Sequence, residues 1–200
     1  MISNTTKEEF FSTNKNFDQL YPPPIRRLSN LHWTPIEVAQ KAAHFLAATP
    51  GASILDIGSG VGKFCLNAGY YSAECNFFGV EQRSSLVAIA NQVQQQLGIT
   101  NASFIHGNFT QLDFSAFDHF YFYNPFYENL VDESLHIDDS IAHSESLYDY
   151  YATNLYTLLA TRPPGTRLAT YQSSHTRIPS SYQLVSTDVD TLFSCWIKIT

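Results

Sequence analysis

The stretch Ile54-Leu55-Asp56-Ile57-Gly58-Ser59-Gly60-Val61-Gly62 decides how this chain folds. A short apolar run ends in an acid and passes into a turn with three glycines. Glycine permits a tight turn and close approach of a ligand to the backbone. Such a turn opens a helix whose first N–H groups lack partners. A second apolar run, Asn76-Phe77-Phe78-Gly79-Val80-Glu81, ends in another acid 25 residues after the first. A carboxylate at that strand tip can accept both hydroxyls of a ribose. A ligand-free strand-turn-helix explains the glycines but leaves the two strand-end acids without a role.

Three ligand classes use this plan. A dinucleotide fold wants Gly-x-Gly-x-x-Gly; here the third glycine comes one residue early, at Gly62, and Lys63 holds its place. A phosphate loop wants Gly-x-x-x-x-Gly-Lys-Ser/Thr; Phe64 cannot ligate magnesium, and Ile57 stands where the first glycine belongs. The third plan places an acid two residues before Gly-x-Gly-x-Gly, and in this the chain resembles motif I of the class I S-adenosyl-L-methionine (SAM) methyltransferases. The acid itself favours that plan. Asp56 would repel a phosphate, whereas SAM carries a sulfonium and an ammonium.

Working outward, the chain reads as alternating strands and helices. Thr34-Pro35-Ile36-Glu37 has the form of a capping box with proline at the first helical position, starting a helix to about Ala48. Strands are expected at 53–57, 76–80, 102–106, 118–123 and 167–172. Ser84 or Ser85 is expected to cap a helix that ends at Gly98, and a further helix is expected over about 144–160. Two closing strands, 182–187 and 192–199, have no helix between them and read as a hairpin. The fold class is α/β: a doubly wound, mostly parallel seven-stranded sheet with an antiparallel last strand and helices on both faces. Residues 1–33 read as an N-terminal arm, in which Pro22-Pro23-Pro24 imposes an extended segment. Residues 34–200 read as the methyltransferase domain.

Composition bounds the function. Two hundred residues at 44% apolar suit one domain with a sizeable core. No apolar run approaches the roughly 18 residues of a membrane span, so no membrane partner is expected. Cys65, Cys75 and Cys195 form no Cys-x-x-Cys pair and read as reduced thiols of a cytoplasmic protein, with no metal site. The net charge is −7 with only 11 Lys and Arg. Proteins living on phosphate backbones usually carry a basic patch, so nucleic acid is ranked below a protein or small-molecule acceptor. The acidic pairs Asp132-Glu133 and Asp138-Asp139 read as a solvated loop.

The methyltransferase resemblance spans roughly Thr34 to Thr200 and implies roles residue by residue. Gly58 and Gly60 would approach the methionine part of SAM, with Ser59 and Gly62 in the same turn. Asp56 would organise the ammonium, Glu81 would hold the ribose, and Gln82 would touch adenine. Asn108 and Phe109, just after the third strand, match in kind the amide and apolar residue that flank adenine in the family; turn chemistry is the other reading of Asn108. Trp33 either lines the substrate mouth or simply packs.

Tyr123-Asn124-Pro125-Phe126-Tyr127 ends the fourth strand. It resembles the Asp/Asn-Pro-Pro-Tyr/Phe segment of methyltransferases that act on adenine, cytosine or glutamine amino groups, with Phe126 replacing the second proline. Asn124, Pro125, Phe126 and Tyr127 are therefore the candidate catalytic segment. In that family the amide and a backbone carbonyl accept the amine's hydrogens while the aromatic stacks on a planar substrate. Placement of the lone pair supplies most of the rate. The other reading is a buried loop whose Asn124 caps backbone. The glycine turn, Gly79-Val80-Glu81, Gly107-Asn108-Phe109 and Asn124-Pro125-Phe126 also resemble, in order and spacing, the seven-stranded (non-SET) histone-lysine methyltransferases. The resulting expectation is methyl transfer from SAM to a nitrogen of a protein side chain. The alternatives are a nucleic-acid amino-group or small-molecule methyltransferase, or a non-catalytic SAM-binding module. The oligomeric state is left open.

Overall fold

In the computed structural model, which describes residues 4–188, 190 and 192–200, the apolar runs become strands within a residue or two of expectation. In chain order the elements are α1 (Asn4–Phe10), α2 (Asn14–Asp18), α3 (Pro23–Arg27), α4 (Ser29–His32), α5 (Ile36–Leu46), β1 (Ser53–Ile57), α6 (Lys63–Tyr71), β2 (Asn76–Glu81), α7 (Ser84–Leu97), β3 (Ala102–His106), β4 (His119–Tyr123), α8 (Glu145–Ala160), β5 (Arg167–Tyr171), β6 (Tyr182–Asp188) and β7 (Phe193–Lys198). The sheet order is β3-β2-β1-β4-β5-β7-β6. The first five strands are parallel, and β7 runs antiparallel to both β5 and β6. This is the expected doubly wound fold with an inserted antiparallel strand.

The order reverses between β1 and β4, and ligands of such sheets bind at the carboxyl ends of the strands flanking the reversal. Strand alternation fills two layers. On β4, Tyr121 faces the cluster that holds α5, α6 and α7, whereas Phe120 and Phe122 face the cluster beneath α8. The β3–β4 connection has no α-helix. Short 3-10 turns over Phe109–Gln111 and Phe114–Ala116 cover that face with aromatic rings instead. Among the described residues no helix is long and apolar enough to cross a membrane.

Residues 1–3 of the expected arm lie outside the described residues, and the rest folds as four short helices. Phe11, Phe17 and Tyr21 are fully buried in the same cluster as α5 and α6. Each buried phenylalanine contributes on the order of 1.5–3 kcal/mol relative to exposure. The expected extended triproline is corrected. Only Pro22 is extended (φ −55°, ψ 150°), and Pro23 and Pro24 occupy the first turn of α3. There a missing N–H costs nothing, because first-turn donors have no intrahelical acceptor.

The capping box is corrected too. Thr34 turns its hydroxyl to Tyr121 Oη at 3.0 Å, and the Ile36 N–H is taken by Asn14 Oδ1 at 2.8 Å, from α2. The N-cap of α7 is Arg83, not a serine, and has no side-chain cap bond. By contrast Ser144 caps α8, accepting from the Leu147 N–H.

Candidate active site

The glycine turn leaves β1 and lies against β2, with the Gly58 and Ser59 N–H groups both donating to the Val80 carbonyl at 3.0 Å. Gly58 is left-handed (φ +76°), and a Cβ there would sit 2.9 Å from Pro125 Cβ. The glycine turn and the Asn124–Tyr127 segment, far apart in sequence, thus touch because β1 and β4 are neighbours. Gly60 is also left-handed (φ +54°), and a Cβ would meet the Trp33 ring at 2.6 Å. Trp33 is buried on the turn, with its indole N–H donating to the Ile25 carbonyl at 3.0 Å. Tyr21 donates its hydroxyl to the Val61 carbonyl, so the N-terminal helices hold the turn from outside. Gly62 caps α6, with its N–H on the Ser59 carbonyl, and does not line the cavity.

The two strand-end acids are both buried and both held near this turn. Glu81 Oε2 accepts the Gly60 N–H at 3.1 Å and Oε1 accepts the Arg83 N–H at 2.9 Å. Desolvation raises the Glu81 pKa above the usual carboxylate value, with the Arg83 and Gly60 contacts pulling the other way. Asp56 is only 3% exposed, and burial pushes its carboxyl well up; Cys65 Sγ donates to it at 3.7 Å. Lys63 is 2% exposed and pairs with Asp18 of α2 at 2.7 Å. It is not offered to a phosphate, as the spacing implied.

A cavity of about 210 Å³ runs along the strand tips. Its walls include Trp33, Gly58, Gly60, Glu81, Gln82, Phe109 and all four of Asn124, Pro125, Phe126 and Tyr127. A smaller cavity of about 20 Å³, sharing His32 and Gly58 with it, is also lined by Asp56 and Ser59. Asn108 lines neither. Its Oδ1 caps the Thr110 N–H at 3.1 Å, and its amide donates to Gln82 Oε1 at 3.1 Å and Tyr151 Oη at 3.2 Å. It thereby fixes Gln82, and its turn chemistry is satisfied. Phe126 stacks on both Phe109 (5.4 Å, 27°) and Tyr151 (5.4 Å, 29°), which also meet each other at 5.9 Å, so the three rings form one triangular, mostly buried cluster at the cavity wall. Asn124 has φ +33°. Its side-chain amide makes no hydrogen bond among the described residues and lies at the cavity wall.

Several cavity residues were not foreseen. Arg83, 4% exposed, grips Glu128 with two 3.0 Å bonds and Asp138 with one of 2.9 Å. This folds the loop after Tyr127 across the cavity, where Ile137, Ile141 and His143 form a wall. The acidic loop is thus partly spoken for, not simply solvated. An arginine two residues after a strand-end acid was the available signal, but its partners lie 45 and 55 residues away. Gln172, at the tip of β5, also lines the cavity.

The residues present fit SAM. Ser59 Oγ and His32 Nε2 are buried beside the turn without a partner among the described residues, as expected where a polar ligand completes the bonding. Two desolvated carboxylates flank them, and a neighbouring cation would favour their charged forms. Among the described residues no cluster of three His, Cys, Asp or Glu side chains is placed to hold a metal ion.

A family model described as a methyltransferase domain matches residues 48–155. A tRNA (guanine-N(7)-)-methyltransferase of Nostoc sp. is 44% identical over 109 residues, covering 54% of this chain and 45% of that protein. One from Microcystis aeruginosa is 46% identical over 54 residues, 27% of this chain and 26% of that protein. The match therefore spans less than half the length of either relative. Among solved structures, TrmN from Thermus thermophilus superposes with a TM-score of 0.61 at 16% identity, over 85% of this chain and 50% of that one. An RNA methyltransferase from Salinibacter ruber, in complex with S-adenosyl-L-homocysteine, gives 0.54 at 16% identity, over 90% and 93%. At that identity these likenesses show the fold. The sequence relatives overturn the ranking of protein and small-molecule acceptors above nucleic acid. That ranking rested on a whole-molecule charge of −7, and a summed charge does not report on what a cavity of this size accepts.

Proposed function

Since this chain belongs to the methyltransferase domain family, it is a SAM-dependent methyltransferase, and we propose that it methylates a nitrogen of an RNA base, guanine first among them. The observation that carries this reading is the contact of Pro125 with Gly58. It brings the Asn124–Tyr127 segment, which can hold a planar base, against the turn that would hold the methyl donor. The names of the sequence relatives supply the class of acceptor.

In this reading Glu81 holds the ribose hydroxyls, Gln82 and Phe109 border adenine, and Asp56 with Ser59 receives the methionine end. SAM supplies an already activated methyl group, open to in-line attack by a lone pair. A ring nitrogen of guanine with its lone pair in the ring plane carries no proton. The chain's task there is placement: Phe126 and Tyr127 fix the plane of the base, the Asn124 amide fixes its edge, and Pro125 fixes the distance to the turn. With 11 basic against 18 acidic side chains, discrimination comes from base contacts inside the cavity more than from phosphate neutralisation.

The test is transfer from methyl-labelled SAM to a cell extract, sorted by nuclease and protease sensitivity. Nuclease-sensitive label is expected. Label that survives nuclease and is released by protease would move the acceptor to protein and end the RNA reading.

A further inference from the structure

Two non-glycine residues at this cavity share an uncommon backbone state. Asn124 (φ +33°) and Gln172 (φ +49°) follow directly on Tyr123 and Tyr171, which are paired across β4 and β5. They are therefore side by side at adjacent strand tips, and both line the same cavity. A left-handed glutamine is costly and persists only where its surroundings impose it. They do so here. The Gln172 N–H donates to the Leu192 carbonyl at 3.0 Å, and the Asn124 N–H donates to Ser173 Oγ at 3.2 Å while Ser173 donates back to the Tyr171 carbonyl. Among the described residues the Gln172 amide has only a 3.2 Å bond to the neighbouring Tyr171 hydroxyl, and the residue is exposed. Nothing in the packing of the described residues requires a glutamine there.

We propose that Gln172 is an acceptor-binding residue, whose carboxamide works with that of Asn124 to read the hydrogen-bonding edge of the base to be methylated. A carboxamide offers a donor and an acceptor side by side, which matches the adjacent O6 acceptor and N1–H donor on the pairing edge of guanine. Two of them at neighbouring strand tips grade bases by edge, while the aromatic wall holds any base plane. This rests on the reading of the Asn124 segment as the acceptor side.

Gln172→Gly isolates the side chain, because glycine accepts φ +49° without strain. In steady-state methyl transfer to the RNA fraction, it lowers kcat/KM for the acceptor about tenfold, mostly through KM, with SAM affinity by calorimetry unchanged. Gln172→Asn keeps a carboxamide, tolerates the left-handed state and retains part of the loss. Unchanged acceptor kinetics in Gln172→Gly would overturn the proposal, as would a loss of SAM affinity at constant acceptor KM. The wild-type protein in the same assay separates the two readings. Label entering protein instead of RNA ends the RNA reading and, with no base edge to read, this proposal with it, whereas label in RNA with an unaltered Gln172→Gly overturns the proposal alone. No transfer to any fraction by SAM-bound wild type overturns both.

Discussion

Replacing Lys63 by methionine tests how the N-terminal helices hold the cofactor turn. Lys63 begins α6, directly after the glycine turn, and its side chain is 2% exposed; its partner Asp18 on α2 is 9% exposed, and the ion pair closes at 2.7 Å. Ser29 of α4 donates to the other Asp18 oxygen and lies 3.4 Å from the lysine nitrogen. Burial lowers the Lys63 pKa, and Asp18 only partly opposes it. The intact pair is thus near neutral for stability, yet breaking it strands a buried carboxylate. That costs about 3–5 kcal/mol. For a domain of this length about 2–4 °C of Tm follow each kcal/mol, so Lys63→Met lowers Tm by roughly 6–20 °C. The double variant Asp18→Leu/Lys63→Met removes both charges and returns to about the wild-type stability or above. Thermal and urea unfolding of the four proteins in the cycle give both numbers. A single-variant loss under about 1 kcal/mol would mean that the pair is solvated and that α2 does not dock on α6 as described.

Other consequences follow from the same geometry. If Glu81 holds the ribose as proposed, Glu81→Ala removes two charge-assisted bonds at roughly 1.5–3 kcal/mol each, imperfectly additive, so SAM binding by calorimetry weakens by about 2–4 kcal/mol. Glu81 has a raised pKa, so its accepting, ionised form is lost as pH falls through that value toward 4.5. SAM affinity therefore drops on acidification in that window and Glu81→Gln drops less steeply, the remaining fall coming from Asp56, whose carboxyl burial also raises; for folding the sign reverses, since the native state binds the extra proton and apo stability falls as pH rises through the same window. Glu128→Ala takes two of the three carboxylate bonds from the buried Arg83 guanidinium and leaves Asp138 alone to hold it, and hydrogen exchange at Ile137, whose N–H now donates to Glu128 at 2.7 Å, speeds up at least about 100-fold. Unchanged protection there would show that the loop is held by something other than this clasp.

What the sequence made legible is what local pattern controls. The strands follow from short apolar runs closed by Gly, Pro or acids, and the crevice follows from where the glycine turn falls in the strand order. The helix over 145–160 is announced by Ser144. What was not legible depends on partners distant in the chain. Thr34 looks like a cap until Tyr121 takes its hydroxyl and Asn14 takes over the capping. The prolines look extended until Phe17 and Tyr21 find a core to fold against. Asp138 looks solvated until Arg83 reaches it. Asn108 is a case of both readings meeting in one side chain, its oxygen capping a turn while its amide steadies Gln82. The ranking of acceptors rested on charge summed over the molecule, and the sequence relatives overturned it.

The measurement that tests the account most directly is nucleoside analysis of RNA incubated with the protein and methyl-labelled SAM, wild type beside Asn124→Gly. Glycine accepts φ +33° at that position, so only the amide is lost. Labelled methylguanosine is expected with the wild type, and about tenfold less or lower with the variant at equal SAM affinity. Full turnover by Asn124→Gly, or no label in RNA from a wild type that binds SAM, would contradict it.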